Sequence, residues 1–172
     1  MEALASDPEA SMAEIARRAG VARATIYVHF ATREALIEAV TQRALSEVTA
    51  AIEAAEPARG NPASALERVV VAAWRTLGRF HALVEINTRR PHAEQRDMHH
   101  SVLAVFEPLI ERGQRAGTFR ADVPVAWHLS MLLALVHAAS GELRAGRVSP
   151  AQVESALPAS VLGAIGPPSR SG

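Results

Sequence analysis

From Ser11 onward the apolar positions recur at spacings of three and four, the period of helices that bury one side. Ile15 and Ala19 mark the first run. It opens at Ser11 with Glu14 three residues on, the pattern of a capping box, and closes at Gly20, which suits a left-handed C-terminal turn. A second, short helix is expected from about Arg23 to Phe30, pinned by Ile26 and Phe30 at i and i+4. Thr32 caps a third, in which Leu36, Ile37, Val40, Leu45, Val48 and Ile52 fall near one face and which stops before Pro57. Beyond the loop "PARGNP" the pattern predicts one long helix from about Pro62 to Pro91. A helix over "DMHHSVLAVFEPLIERGQRAG" follows, kinked at Pro108. "TFRADVP" reads as a connector with Asp122 as a cap, "VAWHLSMLLALVHAASGELRAG" as an almost wholly apolar helix, and "SPAQVESALPASVLGAI" as a last, proline-interrupted one. No segment alternates with period two, so the fold class is all-α: a helix-turn-helix unit over residues 1–43, a larger bundle over 44–165, and a disordered tail over 166–172.

Composition agrees with that picture. A length of 172 residues suits one ordinary domain, and alanine-rich apolar content with only 4% aromatics favours closely packed helices over a sheet. Cysteine is absent, which excludes disulfides and thiol chemistry. No apolar run reaches membrane-spanning length, and the opening "MEALASDPEA" is acidic, unlike a secretory leader. A cytoplasmic, nucleoid-associated protein with no membrane partner is expected.

Formal net charge is zero, so no global attraction to a polyanion is expected. Locally the balance differs: between Ser11 and Arg33 stand Arg17, Arg18, Arg23 and Arg33 against Glu14 alone. All 18 basic side chains are arginine, so any phosphate contact is made by a guanidinium fork.

Two short helices joined by a tight glycine turn, the second displaying polar residues, form a helix-turn-helix. With Ile26 and Phe30 turned inward, Arg23, Ala24, Thr25, Tyr27, Val28 and His29 face outward. A helix fits the major groove of DNA, where residues near its start reach base edges. Arg23 suits guanine, Ala24 or Val28 a thymine methyl, and the hydroxyls of Thr25 and Tyr27 suit phosphates. Arg33, in the first turn of the next helix, lies beside amides that favour an anion.

The stretch "SMAEIARRAGVARATIYVHFATREALIEAV" resembles the DNA-binding signature of TetR-like (tetracycline-repressor-like) transcriptional regulators, densely over about thirty residues. The resemblance implies that Ser11 caps near a phosphate and Ala13 lies at the groove edge. It makes Arg23, Ala24 and Val28 base-facing, and Thr25, Tyr27, His29 and Arg33 backbone clamps. Three positions depart mildly. Ala22 stands where a serine usually caps the recognition helix, at a cost of about 1 kcal/mol; Ala24 replaces a common glycine and Arg33 a common lysine. A fourth departure is larger: the family carries a full helix ahead of the motif, whereas only "MEALA" precedes Ser6-Asp7-Pro8. That helix covers large apolar side chains worth roughly 1.5–3 kcal/mol each. A missing upstream segment is therefore expected; if Met1 is the true start, DNA affinity should be poor.

In the larger half, Ala126, Ser130, Ala134, Ala138 and Gly141 make a stripe of small residues that lets helix axes approach closely. The resemblance implies that the last two helices meet their mates there in a homodimer, as a palindromic double-stranded operator requires. Trp74, Leu77, Phe80, Phe106, Leu109, Trp127 and Met131 would line a pocket for a small apolar or aromatic effector, with His128 or Arg75 supplying polar orientation. The seven histidines show no zinc-type spacing, so no metal is expected, nor any other cofactor. Without a cysteine nucleophile, a Gly-rich phosphate loop, a Glu-x-x-His pair or a serine elbow, no catalytic residue is assigned and no enzyme is expected. The expected function is a ligand-responsive, DNA-binding transcriptional regulator, a repressor released by its effector. The alternative is a ligand-binding and dimerisation module that has lost DNA contact through its short N-terminus.

Overall fold

The computed structural model describes residues 9–88 and 90–167, without the side chains of His81, Ala82, Glu85, Thr88, His92 and Ala93. All regular structure among these residues is helical. Three helices form the N-terminal part: α1 (Met12–Arg18), α2 (Arg23–His29) and α3 (Arg33–Ala54). The larger part holds α4 (Pro62–Leu77), a 3₁₀ turn (Gly78–Phe80), α5 (His81–Thr88), α6 (His92–Met98), α7 (His100–Arg115), α8 (Val125–Arg144) and α9 (Pro150–Ile165). The expectations placed on residues 1–8 and on most of the tail lie outside the described residues.

Three apolar clusters account for the packing. The largest is built on α4, whose Leu66, Val69, Val70 and Trp74 meet Leu45, Val48 and Ile52 of α3, Phe106, Leu109 and Ile110 of α7, and Val153, Leu157, Val161 and Ile165 of α9. A small one joins Ala10, Met12, Ile15, Ala16, Ile26 and Leu36 around α1 and α2. A third sets Ile37 and Ala44 of α3 against Phe80 and Leu83. One helix, α3, thus supplies side chains to all three and runs unbroken through the expected 43/44 boundary.

Polar contacts fix where α3 ends. Arg112 of α7 donates to the carbonyls of Pro57, Ala58 and Gly60 at 2.8, 2.6 and 2.9 Å. Arg68 of α4 donates to those of Ala55, Glu56 and Arg59 at 3.3, 3.1 and 3.0 Å. Two guanidinium forks therefore gather the carbonyls of the C-cap and of the loop that follows it.

Several local expectations need correction. The long helix expected from Pro62 to Pro91 breaks at Gly78, where a 3₁₀ turn lets Phe80 drop into the third cluster. The helix expected to begin near Asp97 is two, divided at His99. Asp122 caps nothing: it pairs with Arg120, and Pro124 occupies the N-cap of α8. The proline-interrupted last helix is continuous through Pro158, and it opens with a full capping box, Ser149 with Gln152, that the pattern had not suggested.

Candidate nucleic-acid interface and effector cavity

Gly20 adopts φ +69°, the left-handed turn that lets α1 stop and α2 leave at an angle. Ser11 Oγ accepts from the Glu14 amide at 3.3 Å, so the cap forms. Its reciprocal half does not. Glu14 turns its carboxylate to Arg17 and Arg18, at 2.5 and 2.7 Å, and their hydrogen bonds hold its pKa down to about 2. The arginine excess of the motif is therefore partly neutralised on α1 at any physiological pH.

On α2, Ile26 is 7% exposed and Phe30 half-buried, both in the small cluster. The opposite side is open: Tyr27 is 41% and Val28 81% exposed, and Arg23, Ala24, Thr25 and His29 are exposed with them. The Arg23 guanidinium lies 5.5 Å from the Tyr27 ring centroid, a cation–π contact that orients the fork along the exposed surface. Ser11 and Ala13 are exposed at the start of α1. Arg33 is half-buried, and its Nε donates to the Ala10 carbonyl at 3.1 Å, tying the segment before α1 to the first turn of α3. Thr32 caps α3 by accepting from the Ala35 amide at 3.1 Å.

The N-terminus of α2 lacks such a bond, since Ala22 has no side chain to offer. Ala22→Ser is expected to stabilise α2 by about 0.5–1 kcal/mol, read as increased amide protection against hydrogen exchange over residues 23–29. Unchanged protection would show that the first-turn amides are already satisfied.

Among the cavities of the larger half are two adjoining, partly open ones of about 80 and 40 Å³ that share walls at Leu45, Val48, Leu77, Val84, His99 and His137. Of the residues expected to line an effector pocket, Trp74, Leu77 and Phe106 border the larger cavity, and Phe80 borders the smaller. Four do not. Leu109 is buried in the main cluster, and Met131 packs against it. Trp127 is 56% exposed: at about 100° per residue it falls beside Ala134 and Ala138, not beside the inward Leu132. His128 is fully buried, but its Nε2 bonds to the Arg120 carbonyl at 2.9 Å, which fastens the connector before α8. Arg75 also turns away and pairs with Glu154 of α9.

The polar wall is made instead by Thr41, Asn87, His99 and His137. The two imidazoles meet edge to face with centroids 5.6 Å apart. The signal that would have found Thr41 is its register: it lies four residues after Ile37 and four before Leu45, a polar residue on an apolar stripe. No group of three or more metal-ligating side chains occurs among the described residues. On α8, Ala126, Ala134 and Ala138 of the small-residue stripe are exposed. Ser130 and Gly141 are half-buried, and Ser130 Oγ accepts from Arg96 at 2.9 Å. No helix among the described residues is long and apolar enough to cross a membrane.

Against known proteins, the family model for bacterial regulatory proteins of the tetR family matches residues 8–40. The HTH-type transcriptional repressor LfrR of Mycolicibacterium smegmatis is 31% identical over 143 residues, 80% of this chain and 71% of LfrR. The HTH-type transcriptional regulator NfxB of Pseudomonas aeruginosa is 26% identical over 175 residues, 98% of this chain and 91% of NfxB. The crystal structure of LfrR in complex with proflavine superposes with a TM-score of 0.71 at 24% identity, covering 94% of this chain and 89% of that one.

Proposed function

This chain belongs to the tetR family of bacterial DNA-binding transcriptional regulators, and on that premise we propose that it is a homodimeric repressor released from a palindromic operator by a small apolar or aromatic effector. The observation that carries this is the position of α3. Thr41, Leu45 and Val48 form part of the cavity wall, while Arg33 and Leu36 of the same helix hold the unit that contains α2. Further bonds couple α3 to the far side of the cavity. Asn87 of α5 donates to Thr41 at 3.1 Å, Arg90 pairs with Glu38 at 3.1 Å, and Arg79 pairs with Glu47 at 2.8 Å. A molecule lodged there presses on the lever itself.

Dimerisation would use the exposed small residues Ala126, Ala134 and Ala138, with Ser130, Gly141 and the exposed Trp127 beside them. Two recognition helices must then lie about one duplex turn, roughly 34–36 Å, apart to enter successive major grooves. An effector that favours a dimer with another spacing lowers operator affinity without touching a base-contacting residue, a population shift between two states. That the LfrR crystal structure holds proflavine supports an aromatic effector for this chain too.

The open face of α2 is consistent with separable roles for two of its side chains. Tyr27→Ala removes a hydroxyl directed to phosphate and should weaken binding to all duplexes alike. Arg23→Ala removes a fork directed to base edges; it should cost about 1–3 kcal/mol at the preferred base and flatten sequence preference. Gel-shift competition between the selected operator and scrambled duplex separates the two. Identical behaviour of both variants would overturn the assignment of roles.

A further inference from the structure

The cavity is apolar except at one end. Thr41, Asn87, His99 and His137 stand together on the wall of the smaller compartment, and among the described residues no aspartate, glutamate or arginine lines either one. Asn87 is 4% exposed. Its Nδ2 donates to Thr41 Oγ1 at 3.1 Å, while its Oδ1 is buried without a hydrogen-bond partner among the described residues. An orphaned acceptor of this kind is rare in a folded interior, and beside a cavity it marks a place where a donor belongs.

His99 supplies a second acceptor. Its Nδ1 lies 2.7 Å from the Gln95 carbonyl oxygen, which only accepts, so Nδ1 carries the hydrogen. Burial lowers the imidazole pKa against the opposing effect of that backbone bond. At neutral pH the ring is therefore uncharged, and Nε2 presents a lone pair.

We propose that this cavity selects an uncharged effector with an apolar, ring-sized body and a hydrogen-bond donor at one end, the body against Trp74 and Phe106 and the donor against Asn87 and His99. The inference rests on the assignment of the cavity as the effector site and narrows that site to a chemical class. Two acceptors call for a donor, as in an alcohol, a phenol or a primary amide. An ion would surrender its hydration where no countercharge lines the wall. The two compartments together fall somewhat short of the cavities of about 150 Å³ that hold benzene, so one ring with a short polar end fits once the walls give a little. Because Asn87 is already bonded to Thr41, the donor end is seated one hydrogen bond away from α3.

The chain has two tryptophans, so in a Trp127→Phe background the indole N–H resonance of Trp74 reports the cavity alone. Benzyl alcohol, benzyl methyl ether, toluene, benzoate and benzylammonium are titrated against it. Benzyl alcohol should bind about tenfold more tightly than the ether, which accepts but does not donate, and at least tenfold more tightly than either ion. Asn87→Leu should shrink the alcohol–ether difference several-fold, leaving what His99 alone supplies, while toluene still binds. An ether equal to the alcohol, an ion equal to it, or an Asn87→Leu protein that keeps the alcohol preference undiminished would overturn the proposal; the comparison within the unsubstituted cavity stands even if that variant does not fold. Toluene binding without any preference for the alcohol sinks the donor assignment and leaves the effector cavity intact. No response of Trp74 to any of the five compounds sinks both.

Discussion

Replacing Gly113 with alanine is expected to lower stability by about 3 kcal/mol, at the upper end of overpacking costs. A Cβ at this position in α7 would stand 1.9 Å from Cδ2 and 2.2 Å from Cε2 of Phe119, whose ring is fully buried. The ring has no route of retreat, because the backbone that carries it is tied on every side. The amides of Thr118 and Phe119 donate to the Gly113 carbonyl at 2.9 and 3.1 Å, and the Arg120 amide donates to the Ile165 carbonyl at 2.9 Å. The Arg120 carbonyl in turn accepts from Gln114 at 3.0 Å and from His128 at 2.9 Å. Something must move, and each movement breaks a bond between α7, α8 and α9. Urea denaturation checks this, with Gly113→Ala/Phe119→Leu as the partner experiment: trimming the ring should recover part of the loss, so the two sites couple with the sign of a relieved clash. An unaltered midpoint for Gly113→Ala would show that the ring has room to shift.

Phe119 also shows what the sequence does and does not reveal. Its connector carries no apolar period, and a glycine inside a helical pattern gives no hint of the ring that fills it. Where a residue acts through its neighbours in the chain, the pattern suffices: the Ser11 cap, the left-handed Gly20 and the inward Ile26 and Phe30 are all set within a few residues. The all-α fold and the family are legible for the same reason. Predictions fail where tertiary packing decides. The local exception is Glu14, which prefers two arginines one turn on to the Ser11 amide. Gly78 breaks a periodic run because Phe80 has a cluster to reach. Aromatic content directed attention to Trp127, which is exposed, whereas the cavity is defined by Thr41 and Asn87, from helices far apart in sequence.

Ile26→Ala should do more damage to function than any substitution on the DNA-facing side of α2, and it should do so without unfolding the larger bundle. Truncating a buried isoleucine costs about 2–5 kcal/mol. The cluster that must absorb the loss comprises Ala10, Met12, Ile15, Ala16 and Leu36, with Phe30 and Val40 at its margin. So small a set has little stability to spare, and local opening below the global limit is the expected response. The boundary of that opening falls within α3. Leu36 loses its partner, but Leu45, Val48 and Ile52 remain locked against α4 and α7, so the C-terminal half of the same helix stays formed. Hydrogen exchange should show residues 12–29 approaching unprotected rates while amides of α4 and α9 keep theirs, and gel shifts should show binding lost to operator and scrambled duplex alike. Val28→Ala, on the open side, serves as the contrast: it should leave exchange unchanged and alter only which duplex is preferred. If Ile26→Ala instead unfolds α4 and α9 in the same step, α3 transmits stability along its whole length and the two halves are one cooperative unit. A rigid lever of that kind would carry effector occupancy to α2 by rotation, where a lever loose at one end would carry it by releasing α2 from its scaffold.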